Sequence, residues 1–223
     1  MVTEKIQIEL ENNRAVVKIE EEDGTITNKY LSFDTLYKIF AHDAIFNTGI
    51  LPSIVDKDSS ITVKQMCLKG DSKGAMIIEG INLKRNISYY SEIFEDIQLP
   101  NIYMGVKFDL APNFRIRNSY ILASYERIYE DGPLFLPNFP NLYNSPIGSI
   151  CWGDNSLASY TNQQQLIFLI DLFFDSNFNN DLYPSDAPYS FKEELERVQR
   201  GERFSMREGL NYSTFANMLF DNL

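Results

Sequence analysis

The chain has 223 residues, of which 44% are hydrophobic and 13% aromatic, so it can bury a substantial core and is too apolar to be a disordered protein. It carries 20 Lys and Arg against 31 Asp and Glu, which gives a formal net charge of -11 at pH 7. A surface of this sign repels phosphate backbones and anionic lipid headgroups, so we expect neither nucleic acid nor a membrane as a partner.

The N-terminal segment, the lack of a long apolar run and the cysteines indicate the cellular compartment. The segment from Met1 to Ile6 lacks the basic start and apolar run of a secretion signal, and no segment approaches the roughly 20 apolar residues of a membrane span. Two cysteines, Cys67 and Cys151, are too few for a disulfide framework. The sequence therefore predicts a cytoplasmic protein in which both cysteines are reduced thiols.

Residues 1–58 are predicted to form an N-terminal extension of strands and a helix. Apolar and polar residues alternate from about Glu4 to Tyr30, and the Asp23-Gly24 pair favours a hairpin turn, so this stretch predicts an antiparallel meander. Ser32 is a suitable N-cap, because apolar residues at helical spacing follow it. A polar stretch containing Gly and Pro then predicts a surface connection at the end of the extension.

Residues 59–223 are predicted to form the second domain, which begins with another antiparallel meander. Its strand-like runs cover Ile61 to Leu68, Ala75 to Ile81, Tyr103 to Leu110 and Arg117 to Tyr125. With the helices predicted further along, these runs indicate an α+β fold in which an antiparallel meander packs against helices.

A proline-rich segment from Asp131 to Gly153 follows the predicted meander. Its prolines fix backbone angles and remove amide donors, so we predict an ordered loop that contains neither a regular helix nor a central strand. A rigid loop of this kind can hold a reactive side chain in a fixed position.

Helices are predicted after the proline-rich segment. Apolar residues three or four apart predict a buried helix from about Thr161 to Ser176. Ser190 and Glu193 have the spacing of a capping box, which predicts the start of a second helix. A last short helix is predicted around Phe215.

His42 is the only histidine, so multi-histidine metal sites are excluded and any Cys-His or Ser-His-Asp arrangement would have to use it. Its place after the first predicted helix favours a structural or surface role, because a helix dipole stabilises a protonated imidazole there. The sequence contains no Gly-rich phosphate loop, dinucleotide fingerprint or paired-cysteine metal motif. We therefore predict neither a cofactor nor a metal.

Cys151 lies between Gly148 and Gly153, shortly after Pro140-Asn141. A buried cysteine packs as a small hydrophobic residue, whereas an exposed thiol invites oxidation and needs a functional reason; the sequence leaves both open. A cysteine without a histidine can still exchange thioesters, because a thiol is partly ionised near neutral pH. The Asn141 amide could donate a hydrogen bond to the oxyanion that forms, or could form a turn with its own backbone.

The stretch Phe139-Pro140-Asn141 followed by Gly148-Ser149-Ile150-Cys151 resembles the His-Pro-Asn and Gly-x-x-Cys pattern before the catalytic cysteine of ubiquitin-conjugating enzymes. With Gly153 and the run Phe173-Phe174-Asp175-Ser176-Asn177-Phe178, it is most similar to prokaryotic ubiquitin-conjugating-like family D, which includes the PRTRC system protein B group. Phe139 stands in place of the histidine of the usual motif. The resemblance extends loosely over the chain, through the N-terminal strand pair, the middle meander, the proline-rich loop and the aromatic end of the following helix, and it is specific only from about Pro133 to Phe178.

The resemblance implies a ubiquitin-conjugating-like fold and a transferase activity. A ThiF-type activating enzyme would pass a small β-grasp modifier to Cys151 as a thioester, and Cys151 would deliver the modifier to an amine. In this scheme Cys151 is the nucleophile, Asn141 the oxyanion donor and Asp154 the residue that orients the amine. One alternative is a noncatalytic interaction or structural protein of a phage or plasmid, and another is a small cysteine hydrolase with His42 as its base.

Overall fold

The computed structural model describes residues 60–69, 72–110, 112–143, 145, 147–155, 157–221 and 223, together with the backbone of four strands nearer the N-terminus. At positions 163 and 164 it also describes the backbone alone. The strands are β1 (Lys5–Glu11), β2 (Arg14–Glu20), β3 (Ile26–Ser32), β4 (His42–Asn47), β5 (Ile61–Lys69), β6 (Lys73–Gly80), β7 (Lys84–Tyr89), β8 (Glu92–Gln98), β9 (Asn101–Asp109), β10 (Arg115–Ser124), β11 (Pro133–Pro137) and β12 (Met206–Asn211). The helices are α1 (Leu169–Phe174), α2 (Phe191–Gln199) and α3 (Tyr212–Phe220), with 3-10 helices at Leu157–Ser159 and Gln163–Phe168.

Antiparallel pairing joins these strands into three sheets within the described residues. The largest has the order β12-β11-β10-β9-β6-β5-β4, while β1-β2-β3 and the β7-β8 hairpin form the other two. The fold is therefore α+β with a mostly antiparallel sheet, as the sequence predicts.

The N-terminal meander is confirmed, because β1 pairs with β2 and β2 pairs with β3, both antiparallel. Ser32 is the last residue of β3, and the helix predicted after it lies outside the described residues. Strand β4 pairs with β5 and so extends the large sheet. The domain boundary near residue 58 stays a prediction.

The four strands predicted in the second domain are present as β5, β6, β9 and β10. The hairpin β7-β8 was not predicted, because its apolar residues do not alternate. Phe94 and Ile97 of β8 are both buried although they are three positions apart. Asp96 between them has a φ of 54°, a left-handed conformation that breaks the pleat.

The prediction that the proline-rich segment holds no central strand is wrong. Strand β11 lies between β10 and β12, pairing Phe135 with Ala123 on one side and Leu134 with Leu210 on the other. Its prolines stand at the first and last positions of the strand, where a missing amide donor is tolerated.

The predicted helix from Thr161 to Ser176 is shorter and less regular than its apolar spacing indicates. A 3-10 helix at Gln163–Phe168 leads directly into α1, which ends at Phe174. The capping box of α2 is confirmed, since the Ser190 hydroxyl accepts from the Glu193 amide and the Glu193 carboxylate accepts from the Ser190 amide. Helix α3 covers the last predicted helix. None of the helices described here is both long and apolar enough to cross a bilayer.

Helices α1 and α3 pack on opposite faces of the large sheet, at two glycines. A Cβ at Gly80 of β6 would lie 3.3 Å from Ile170 of α1, and a Cβ at Gly105 of β9 would lie 2.5 Å from Leu219 of α3. Gly80 pairs with Ile102, and residues 102 and 105 of one strand point to opposite faces. The centre of the sheet is therefore covered on both sides.

Candidate functional site

The chain around Cys151 continues the large sheet beyond the end of β11. The Ile121 amide of β10 donates 2.9 Å to the Gly148 carbonyl oxygen, and the Ile150 amide donates 2.9 Å to the Ser119 carbonyl oxygen. Because β9 occupies the other edge of β10, this segment takes the edge that β11 leaves open. The backbone next to Cys151 is thus held as an additional short strand.

A second antiparallel pairing brings Asn141 beside Cys151. The Cys151 amide donates 2.7 Å to the Asn141 carbonyl oxygen, and Leu142 forms a bridge opposite Ile150. The structure therefore brings together two of the three residues that the sequence proposes for the site.

This pairing separates the side chains into an inner and an outer face. Leu142 and Ile150 are buried at 3% and 7% exposure, which defines the inner face. Side chains alternate along paired strands, so their neighbours share the outer face. The outer residues are Tyr143, which is exposed, and Ser149 and Cys151, which are half-buried; Asn141 is also half-buried and lies at the end of the pairing, where its left-handed φ ends the alternation.

The two cysteines differ in exposure. Cys151 is half-buried on this outer face, whereas Cys67 of β5 is buried in the core. Cys67 therefore packs as a core residue. Cys151 does not, so the interpretation of Cys151 as a buried hydrophobic residue does not apply.

Tyr143 is a site residue that the sequence analysis missed. Its phenol interacts with the neighbouring Cys151 side chain, which raises the pKa of the Tyr143 phenol. The sequence signal for Tyr143 is its place two positions after Asn141. This signal can be recognised only once residues 141 to 143 are known to pair with residues 149 to 151. A tyrosine among many aromatic residues did not reveal it.

Two residues in left-handed conformations shape this loop. Asn141 has a φ of 65°, which asparagine tolerates better than most residues. Gly148 has a φ of 60°, and a Cβ there would lie 2.2 Å from the Ile121 carbonyl oxygen. Only glycine therefore fits at position 148 without displacing β10.

The loop is fastened to the body on the far side of Cys151. The Trp152 indole N–H donates 2.6 Å to the Ser119 hydroxyl, and the Trp152 ring meets the Phe173 ring edge to face at 6.2 Å. The Asn155 amide group donates 2.8 Å to the Ser176 hydroxyl at the end of α1. These contacts make the position of Cys151 depend on both the sheet and α1.

Phe139 is an anchor of the core. It is 1% exposed, and its ring lies 6.2, 5.5 and 5.3 Å from the rings of Phe173, Phe174 and Phe204. A histidine at this position would be surrounded by aromatic rings with its ring nitrogens buried. The local packing therefore accounts for phenylalanine here.

Asp154 and His42 are the remaining residues that the sequence proposes for the site. Asp154 is exposed on a turn that the Asn155 amide closes by donating 2.9 Å to the Trp152 carbonyl oxygen. The described contacts do not bring Asp154 to Cys151. His42 starts β4 rather than following a described helix, and its side chain lies outside the described residues, so its role as a base stays a prediction.

A surface hollow of about 640 Å³ lies at the end of β10, and several of its charged side chains already have partners. Arg127 donates 2.8 Å to buried Glu79, and Asp131 accepts from the Ser213 amide at 2.9 Å. These bonds account for the two residues structurally. Throughout the part of the chain that the structure describes, no group of three or more His, Cys, Asp or Glu residues is arranged to hold a metal ion.

Comparison with protein-family models, with curated proteins and with solved structures found no match to this chain.

Proposed function

We propose that this chain is a ubiquitin-conjugating-like transferase that carries a small β-grasp modifier as a thioester on Cys151. The observation that carries the proposal is the antiparallel pairing that holds the half-buried Cys151 beside Asn141. A nucleophile on a rigid scaffold loses little freedom when it reacts, which favours transfer between large partners.

The order of elements along the chain supports this proposal. Strands β5, β6, β9 and β10 form an antiparallel meander, the Pro140-Asn141 step and Cys151 follow it, and α1 comes next. This is the arrangement that the resemblance implies, with the catalytic cysteine in a loop between the meander and a helix.

The chemistry requires a nucleophile and a donor for the oxyanion. A thiolate attacks a thioester without a neighbouring histidine, since it is already a strong nucleophile. Among the residues that the structure describes, no hydrogen bond engages the Asn141 side-chain amide, which leaves it available to the developing oxyanion. Asp154 is exposed on the next turn, and the proposal assigns its carboxylate to orienting the incoming amine.

The test uses a purified ThiF-type activating enzyme and a small β-grasp protein. With ATP, these should convert the wild type into a species larger by one modifier, which a reducing thiol removes. The Cys151→Ala variant should not form this species, and Cys67→Ala should form it normally. A modifier-linked species that persists in Cys151→Ala would contradict the proposal.

A noncatalytic interaction or structural role, such as one in a phage or plasmid, is the second candidate. Large apolar side chains that lie on the surface favour it, since exposed aromatic residues are enriched where proteins bind one another. They include Tyr90, Ile93, Tyr129 and Phe168, at 55%, 67%, 79% and 55% exposure. Neighbouring genes for capsid or tail proteins, together with a Cys151 that accepts no acyl group, would favour this candidate.

A further inference from the structure

Ser119 of β10 forms hydrogen bonds with both residues that flank Cys151. Its carbonyl oxygen accepts a hydrogen bond of 2.9 Å from the Ile150 amide, and its hydroxyl accepts one of 2.6 Å from the Trp152 indole N–H. An indole N–H can only donate, so the direction of the second bond is fixed. Cys151 therefore lies between two neighbours that are attached to a single serine, one by its backbone and the other by its side chain.

Ser119 belongs to the packed interior of the large sheet. It is 5% exposed and pairs with Val106 of β9, which is 0% exposed. The Trp152 ring lies edge to face against Phe173, which is 1% exposed, with 6.2 Å between the ring centres. Because the serine is buried, water competes poorly for its hydroxyl. The hydrogen bond therefore ties the residue after Cys151 to the interior of the sheet.

The indole bond fixes the chain on the far side of the thiol. Before the thiol the backbone is already paired, since the Cys151 amide donates 2.7 Å to the Asn141 carbonyl oxygen. After it the chain turns at Gly153, which has a φ of 54° and open space around a Cβ position. Within the described residues, the Trp152 side chain is the first attachment to the body that follows Cys151. This attachment limits how far Cys151 can move away from Asn141.

We propose that Ser119 is a positioning residue for acyl transfer at Cys151 and that it acts by holding the Trp152 indole. This inference rests on the proposed function, because only acyl transfer requires the acyl carbon on the sulfur to stay beside the Asn141 amide. A misplacement of about 1 Å can slow such a reaction by about 100-fold. Ser119 acts through Trp152 and is therefore not a catalytic residue.

Discharge is the step that depends on this position. The amine nitrogen attacks the acyl carbon, the C–N bond forms and the Cys151 S–C bond breaks. The electron pair of that bond stays on the sulfur, and the amine proton passes to solvent. The negative charge on the acyl oxygen builds up before the S–C bond breaks, so the Asn141 amide has to be in place at that moment.

Replacement of the hydroxyl alone tests the inference. Ser119→Ala removes the acceptor of the indole bond and keeps the carbonyl oxygen that Ile150 uses. After loading with a peptide thioester, its discharge at saturating free lysine should be about tenfold slower than in the wild type, because the acyl carbon is less well placed. The lysine concentration that gives half of this rate should not change, since Ser119 acts on the position of the thiol.

Ser124→Ala is the matched control. Ser124 is the other serine of β10, it is 3% exposed, and its hydroxyl accepts a hydrogen bond of 3.3 Å from the Glu126 amide. This variant also loses a buried hydroxyl from the strand, and it should discharge at the wild-type rate. Equal slowing in Ser119→Ala and Ser124→Ala would mean that general loosening of β10 is the cause, which overturns the inference.

The indole N–H gives a direct signature of the bond. Trp152 is the only tryptophan, so the ¹H–¹⁵N spectrum contains a single indole signal. Exchange of this proton with deuterium should be at least about tenfold faster in Ser119→Ala than in the wild type, and unchanged in Ser124→Ala. An exchange rate that stays at the wild-type value in Ser119→Ala overturns the inference.

Trp152→Phe removes the same hydrogen bond from its other end and keeps an aromatic ring. It should slow discharge by a similar factor, and the double variant with Ser119→Ala should be no slower than either single variant, because each change breaks the same bond. Additive slowing would show that Ser119 does not act through Trp152.

The same peptide thioester separates the two proposals. If the wild type is acylated, and Ser119→Ala loses indole protection but discharges at the wild-type rate, the role of Ser119 is wrong and the transferase proposal stands. If the wild type accepts no acyl group, the transferase proposal fails and the role of Ser119 fails with it.

Discussion

The backbone amide of Cys151 donates a hydrogen bond to the carbonyl oxygen of Asn141 at 2.7 Å. This bond ends an antiparallel pairing in which two buried residues, Leu142 and Ile150, hold the inner face. The backbones of Cys151 and Asn141 are therefore positioned by secondary structure and by core packing, although they lie in a loop.

The Asn141 side chain can be separated from its backbone conformation by two substitutions. Asn141→Gly keeps the left-handed φ of 65° and removes the amide, so its free energy of unfolding should stay within about 1 kcal/mol of the wild type. Discharge of a Cys151 thioester to an amine should nevertheless slow by about 100-fold, because the oxyanion loses a donor. Wild-type discharge in Asn141→Gly would contradict the oxyanion role. Asn141→Ala should lose about 1 kcal/mol more, since alanine is strained at positive φ.

Two glycines that flank Cys151 form a matched pair for stability measurements. A Cβ at Gly148 would lie 2.2 Å from the Ile121 carbonyl oxygen, whereas a Cβ at Gly153 has nothing within 4 Å. Both have positive φ, so Gly153→Ala should cost only the backbone strain, about 1 kcal/mol. Gly148→Ala should cost about 3 kcal/mol and alter Trp152 fluorescence, because β10 must move. Equal losses in urea unfolding would show that the contact with β10 is unimportant.

The two thiols should differ in reactivity towards reagents in the native state. Cys67 is 9% exposed, and Cys151 is half-buried on the outer face of the loop. Peptide mass spectrometry after brief treatment with a maleimide should show modification of Cys151 at least about tenfold faster than of Cys67. The difference should vanish in denaturant, where both thiols are open to solvent. Equal native rates would mean that the loop does not present its thiol.

Phe139 should contribute to stability more than a surface aromatic residue does. Phe139→Ala removes a ring that is 1% exposed and should cost about 3 to 5 kcal/mol, whereas Phe168→Ala removes a 55% exposed ring and should cost about 0.5 kcal/mol or less. Phe139→His would restore the usual motif but should also destabilise, because its ring nitrogens would be buried among aromatic rings. A Phe139→His variant as stable as the wild type would refute this account of the position.

The stabilisation of α3 by Asp131 should depend on pH. Its pKa lies below the ordinary value because it accepts from the Ser213 backbone amide at the start of that helix. A lowered pKa in the folded state stabilises the protein above the unfolded pKa near 4, and this stabilisation is lost as pH falls through the folded value. Asp131→Asn should therefore be less stable than the wild type near pH 7, and the difference should shrink on acidification to about pH 3. A difference that does not change with pH would exclude this carboxylate effect.

The sequence predicted the elements whose apolar residues repeat regularly. The meander strands and the capping box of α2 follow from local patterns, and the structure contains them. Strand β8 was missed because the left-handed Asp96 shifts its buried residues to a spacing of three. Strand β11 is not visible in the sequence because the segment is rich in proline. Its own prolines stand at the two ends of the strand, where pairing can still occur.

The candidate site was only partly visible in the sequence. Cys151 and Asn141 were found because each is chemically distinctive and the spacing resembles a known pattern. Asn141 and Cys151 lie side by side because of a pairing register that the length of the loop does not specify. The same register places Tyr143 near them. Phe139 illustrates the opposite limit, since the phenylalanine that stands where the resembling pattern has a histidine is explained by neighbours distant in the sequence.

The most direct measurement of the central claim is the intact mass of the protein after treatment with a peptide thioester. The wild type and Cys67→Ala are predicted to gain the mass of one peptide acyl group, which a reducing thiol removes and which maps to Cys151. Cys151→Ala is predicted to gain none. No gain in the wild type, or the same gain in Cys151→Ala, would contradict the assignment of Cys151 as the residue that carries the thioester.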